Sequence, residues 1–338
     1  MKTLESCAAG DAAIEYTLDE DSGRIGLAMC PTRLLDKRPS HRERLGGSVE
    51  IDYLPAHWAA PRAWHVHSLV QLALVGDWAA GGHAQGRTML NNPATLDLRY
   101  QDQQIQDTPH GRRIITRLHS PRGFSCVHEL SHDTGQQAVS TRVTFRNESP
   151  ADLTLAMLGS FSLGQITPFV ADDAPGRLRV HRFRSVWSAE GRLDTQTIEQ
   201  LHLERSWMGH GAFCERFGQV GTMPVRGFFP FVAIEDSEQG VLWGAQLAWA
   251  GSWQMEVYRR DDFVLLAGGH WSFSYRSDDG GKTWQKLGVL PGTSNSHQYA
   301  AISQVTPVLF FPKKSLSAFY KYKKGPLDRF SPFQISDP

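Results

Sequence analysis

The feature that most constrains this chain is a hydrophobic period of two with no helical period beside it. From Val139 to Phe145, the residues Val139, Thr141, Val143 and Phe145 alternate with Ser140, Arg142 and Thr144. That pattern arises when successive side chains point to opposite faces of a strand and one face is buried. Leu153, Leu155, Met157 and Phe161 continue it beyond Asn147-Glu148-Ser149-Pro150-Ala151-Asp152, a turn-rich link that predicts an antiparallel hairpin. Val241, Trp243, Ala245, Leu247 and Trp249, followed after Gly251 by Trp253, Met255 and Val257, predict a second hairpin. Helical periodicity is absent from windows long enough to define a helix, and strands do not alternate with amphipathic helices as they do around a parallel sheet. The chain is therefore expected to be all-β, a large antiparallel β-sandwich.

Its 338 residues give ample length for a core, and 35 Lys+Arg balance 35 Asp+Glu. Neutrality argues against nucleic acid and anionic membranes as partners, because both are gripped through a sustained basic face. The balance conceals a change of cation. Lys2 and Lys37 are the only lysines before Lys282, and every other basic residue from Arg24 to Arg276 is arginine. Lys282, Lys286, Lys313, Lys314, Lys321, Lys323 and Lys324 then follow, with Arg329 alone among them. Such a shift divides residues 1–270 from a second module at 271–338. Cys7, Cys30, Cys126 and Cys214 are too few and too scattered for a disulfide framework, so free and mostly buried thiols are expected. Glu5 and Asp11 interrupt the segment where a signal peptide would be apolar, and no run reaches the roughly 18 apolar residues of a membrane span. The expected compartment is the cytoplasm.

Little in the sequence points to autonomous chemistry. Gly81, Gly82 and Gly86 lack the spacing that brings backbone amides around a pyrophosphate, so no nucleotide or other cofactor is expected. His65 and His67 share one face of a strand, as some metal-binding barrels arrange them, but no third ligand is fixed by spacing and a structural role is favoured over a metal site. No nucleophile elbow or Cys-His signature is present. The adjacent carboxylates Asp172-Asp173, Asp261-Asp262 and Asp278-Asp279 point to opposite faces if they lie on strands, and read better as solvated turns. Among the ten tryptophans, Trp187, Trp207, Trp243, Trp249 and Trp253 are expected in the sandwich core, and Arg182, Arg184 and Arg192 in an ion-paired network with Glu190, Glu199 and Glu204.

Larger blocks carry a resemblance. His181-Arg182-Phe183-Arg184-Ser185-Val186-Trp187, Glu215-Arg216-Phe217-Gly218-Gln219, Val241-Leu242-Trp243-Gly244 and Gly251-Ser252-Trp253-Gln254-Met255 occur in order. Before them come Gly76-Asp77-Trp78, Gly86-Arg87-Thr88-Met89 and Leu158-Gly159-Ser160-Phe161. Together, over about residues 10–270, they resemble the N-terminal domain of glycoside hydrolase family 36, the bacterial α-galactosidases. The resemblance implies a β-supersandwich placed before a (β/α)8 barrel that hydrolyses terminal α-galactosides with retention. Both catalytic aspartates of the family lie on that barrel. Residues 271–338 are far shorter than the roughly 250 residues a barrel takes. No catalytic residue is therefore assigned, and the chain alone is expected to be inactive. Its expected role is scaffolding or galactoside contact, beside a separate barrel or within a homo-oligomer. Family members contact galactose hydroxyls with a sandwich aspartate in a Gly-Asp pair, and Asp77 matches it, with Trp78 available to cover an apolar sugar face. The alternative is an ordinary turn aspartate after Gly76. A free-standing galactoside-binding module is a second reading of the whole.

The tail departs from that family. Ser277-Asp278-Asp279-Gly280-Gly281-Lys282-Thr283-Trp284 matches the Asp box of sialidases and related propellers. Ser277 and Asp279 can bond turn amides, Gly281 permits positive φ, Thr283 completes the pattern and Trp284 packs beneath, which makes the motif a structural hairpin device. One such box makes a sialidase-related protein a third reading. The end of the chain, Phe310 to Pro338, rich in lysine, proline and glycine, is expected to form an irregular extension.

Overall fold

A computed structural model describes residues 2–37, 66–77, 88–167, 174, 176–188, 190–203, 214–219, 226–247, 252–259, 263–270, 274–276, 285–287 and 301–309. Among these residues most lie in antiparallel strands, with very little helix. The first sheet joins β1 (Lys2–Ala9), β2 (Ala12–Asp19) and β3 (Arg24–Pro31) in sequence order. β4 (Leu72–Leu74) and a short helix α1 (Pro93–Leu96) precede a four-strand meander of β5 (Arg99–Thr108), β6 (Gly111–Ser120), β7 (Phe124–Asp133) and β8 (Ala138–Asn147). β9 (Leu155–Leu163) follows, then β10 (Leu178–Ser185), β11 (Arg192–Thr197), β12 (Cys214–Gln219), β13 (Gly227–Asp236), β14 (Val241–Gln246), β15 (Trp253–Arg259) and β16 (Phe263–His270). These form a sheet ordered β12-β15-β16-β9-β4 and another ordered β11-β10-β13-β14.

Alternation holds strand by strand in the meander. Ile114, Thr116 and Leu118 of β6, Phe124, Cys126, His128 and Leu130 of β7, and Val139, Thr141, Val143 and Phe145 of β8 are all buried on one face. Phe124 and Phe145 stack there with centroids 5.4 Å apart. β5, at the sheet's edge, reads Arg-Tyr-Gln-Asp-Gln-Gln-Ile-Gln-Asp-Thr and is largely exposed, a polar edge that resists pairing with other chains. One continuous core draws on all the large sheets, with Tyr16, Phe161, Trp243 and Trp253 fully buried in it.

Neither expected hairpin forms. β8 and β9 belong to different sheets, and β9 pairs with β16 and β4 instead. All nine residues of β9 are buried, because both its faces are covered. The link works as a corner: the Asn147 side chain donates to the Ala151 carbonyl at 2.7 Å and accepts from the Ser149 amide at 3.0 Å. Likewise β14 pairs with β13, and β15 pairs with β12 and β16. Trp243 and Trp253 reach one core from two sheets.

Two features arise from beyond residue 270. β17 (Ser274–Arg276) and β18 (Gln285–Leu287) pair antiparallel. The Asp-box residues Ser277, Asp279, Gly281, Thr283 and Trp284 lie between them in sequence and outside the described residues. β19 (Ala301–Leu309) adds an outer strand to the meander by pairing with β8. Its register slips between Val305 and Val308, where Pro307 has no amide to give to a ladder.

Candidate functional site

Asp77 stands at the end of β4, the outer strand of its sheet. Leu74-Val75-Gly76-Asp77 turns with the Asp77 amide 3.4 Å from the Leu74 carbonyl, and Gly76 takes φ +95°, the value a type II turn demands at its third position. A residue with a Cβ would be strained there. The turn aims the carboxylate at a second sheet, where Arg122 waits at the tip of the β6–β7 hairpin. That hairpin has Pro121 in its turn, a Gly123 amide bonded to the Ser120 carbonyl at 3.0 Å, and Gly123 at φ +81°. This is a three-residue loop ending in a left-handed glycine.

The two side chains meet fork to fork. Arg122 donates from Nη1 to Asp77 Oδ2 and from Nη2 to Asp77 Oδ1, both at 3.0 Å. Its Nη1 also lies 3.5 Å from Asp97 Oδ2, and its guanidinium carbon lies 6.0 Å from the centroid of the Phe124 ring. The Asp77 side chain is only 12% exposed, against 35% for Arg122, so this is a half-sheltered pair rather than a loose surface contact. Hydrogen bonding to Asp77 is the main reason the guanidinium is held further into its charged form.

The chain that returns toward α1 is fastened from beneath. Glu256, fully buried on β15, accepts the Met89 backbone amide at 2.8 Å on one oxygen and the Gln254 side-chain Nε2 at 2.5 Å on the other. Burial pushes its carboxyl above the usual range, and the Cys214 thiol hydrogen-bonds to it. Gln71 accepts the Asn91 amide at 2.9 Å, and the Asn92 side chain donates to the carbonyls of Thr88 and Met89. Thr95 Oγ1 accepts the Leu72 amide and donates to the Leu72 carbonyl, tying α1 to β4. Arg122, Glu256 and Gln71 had no distinguishing signal in the sequence. Pro121-Arg122-Gly123 predicts only a turn, and nothing links it to Asp77.

The arginine-rich strands do build a network, with other partners. Arg182, 4% exposed, contacts Glu215 and Gln196 and lies 3.7 Å from Asp194, with the Phe217 and Phe228 rings 5.3 and 5.1 Å away. Arg184 pairs with Asp194 at 2.7 Å. Glu190 instead accepts the nearby Ser188 backbone amide and Glu199 that of Gly176, 23 positions back, because cross-strand register sets the neighbours of the arginines. Glu204 lies outside the described residues. Trp243 and Trp253 are core as expected, whereas Trp187 is 94% exposed. It sits in the turn between β10 and β11, past the reach of the sheet.

Trp78, His65, Trp207, Trp249 and the three Asp-Asp pairs lie outside the described residues. Among the described residues no three His, Cys, Asp or Glu side chains gather as metal ligands, and no helix is long and apolar enough to cross a membrane. None of the four cysteines forms a disulfide, and Cys30 and Cys126 are fully buried.

The fold and the sheet-bridging pair define a large antiparallel multi-sheet β-sandwich. Among solved proteins this fold is shared by glycoside hydrolase family 36 α-galactosidases. AgaA from Geobacillus stearothermophilus superposes with a TM-score of 0.56 at 11% identity, over 92% of this chain and 40% of that one. AgaB from the same organism gives 0.55 at 11%, over 92% and 41%. The galactosidase domain of the α-galactosidase-sucrose kinase AgaSK gives 0.55 at 11%, over 90% and 40%. This chain thus spans about 40% of the length of the solved chains it resembles. No family model and no curated protein matches the sequence.

Proposed function

We propose that the chain is the N-terminal β-sandwich of an α-galactosidase-like glycoside hydrolase, a scaffold that contributes Asp77 to galactoside recognition beside a catalytic barrel outside this sequence. The observation that carries this reading is the superposition of nine tenths or more of the chain on about two-fifths of several α-galactosidases. Asp77 supports it by position: the carboxylate is placed by a strand end and a tight turn rather than left free on a surface. Retaining hydrolysis needs two carboxyl groups about 5 Å apart on either side of one glycosidic bond. The helical elements among the described residues are Thr32–Lys37 and Pro93–Leu96, so no described βα unit holds such a pair.

Nitrophenyl-α-galactoside turnover tests the catalytic half of the proposal. The chain alone is expected to give background rates, and turnover abolished by Asp77→Ala would overturn the assignment of the chemistry to another segment. Calorimetry with galactose, melibiose and raffinose tests the recognition half. Heat at millimolar sugar that Asp77→Asn removes supports contact through Asp77, and no heat leaves a scaffold alone.

A further inference from the structure

The bonds that fix Asp77 also occupy it. An ionised carboxylate offers about four lone-pair sites, two of them on the side facing away from its carbon stem. An end-on guanidinium fork takes those two together. With Arg122 bonded at 3.0 Å to each oxygen, the lone pairs left on Asp77 diverge to opposite flanks, too far apart for neighbouring hydroxyls of one sugar ring to use both. A vicinal diol that grips both oxygens needs the face Arg122 holds.

A second acceptor is already at hand. Arg122 Nη1, which bonds Asp77 Oδ2, is 3.5 Å from Asp97 Oδ2. Asp97 ends α1, its backbone amide is tied to Pro93 at 3.0 Å, and its carboxylate is about as exposed as the guanidinium, at 35% each. The hairpin tip holds the Arg122 backbone, and Phe124 supports the guanidinium from one side. A small rotation of the side chain therefore trades one carboxylate for the other without moving either sheet.

We infer that Arg122 governs sugar access to Asp77 by exchange: a vicinal diol displaces the guanidinium from Asp77, and Asp97 receives it. This rests on the reading of Asp77 as a sugar contact. The exchange itself is also visible without sugar.

Calorimetry with galactose on the full chain separates the outcomes. Arg122→Gln leaves the Asp77 face open and is expected to tighten binding about fivefold, the equivalent of one half-exposed ion pair. Asp97→Asn removes the receiving group and weakens binding by a similar factor. An Arg122→Gln variant that binds as poorly as Asp77→Asn would overturn the exchange, because Arg122 would then orient Asp77 rather than compete for it. Thermal unfolding without sugar supplies the second measurement. Coupling between Arg122 and Asp97, obtained from a cycle with Arg122→Gln and Asp97→Asn, should grow when Asp77 is replaced by Asn, since Asp97 is then the one charged carboxylate of the pair left to the guanidinium. Coupling that does not grow overturns the exchange. If no variant binds galactose while the coupling grows, the sugar reading of Asp77 fails and the switchable arginine stands.

Discussion

Gly159 of β9 and Gly268 of β16 lie back to back. A Cβ on Gly268 would come within 2.5 Å of both the Gly159 Cα and the Leu158 carbonyl oxygen, and one on Gly159 would come within 3.0 Å of the Gln71 carbonyl. The ladder between the two strands slips between Ala267 and Gly268, so the paired backbones cross more closely than side chains permit. Because the obstructing atoms are backbone, no rotamer change relieves the clash.

Gly268→Ala is therefore expected to lower stability by about 2 kcal/mol or more, in the range seen when a packed core is overfilled. Urea unfolding reads this as a lower midpoint at unchanged slope. A midpoint equal to that of the parent chain would mean that β9 and β16 do not approach as described.

His128 lies in the core row of β7, 1% exposed, with Nδ1 unpaired. Burial holds its imidazole neutral, lowering its pKa from 6.5 to about 4. Between those values the unfolded chain binds a proton that the folded chain refuses. Stability from this group is thus complete above about pH 6.5 and falls by about 3 kcal/mol as pH drops to about 4. Chemical denaturation at pH 7 and pH 5 should show the loss, and His128→Leu should shrink it. Identical slopes in parent and variant would contradict the assignment.

Arg182 is buried among Glu215, Gln196 and two aromatic rings. Removing one side of such a pair strands charge in the interior, and Arg182→Ala is expected to cost about 3 to 5 kcal/mol. Arg182→Met paired with Glu215→Gln should recover part of that loss, because it keeps the packing and removes the stranded charge. A double variant as unstable as the single one would argue that the arginine stem, not its charge, holds the site.

Trp187 is 94% exposed beside Val186 at 51%. Trp187→Ala should change stability by less than about 0.5 kcal/mol, as surface substitutions do. It should also remove a fraction of fluorescence that iodide quenches. Retention of that fraction would place Trp187 in a sheltered environment.

Much of the fold was legible because burial leaves a local trace. Alternation in β8 reports one covered face, and the absence of helical period reports the all-β class, each within a few neighbouring residues. Gly76-Asp77 likewise announces a turn and the carboxylate it presents. What local sequence does not contain is the identity of the partner. A strand buried on one face can pair with its neighbour in sequence or turn a corner into another sheet, and the same alternation serves both. Only the tertiary structure sent β9 and β15 across to the opposite sheet, where Trp243 and Trp253 fill one core from two sides. Only it brought Arg122 to Asp77 from 45 positions away. That placement turns a sequence-evident acid into one whose availability depends on an arginine in another sheet.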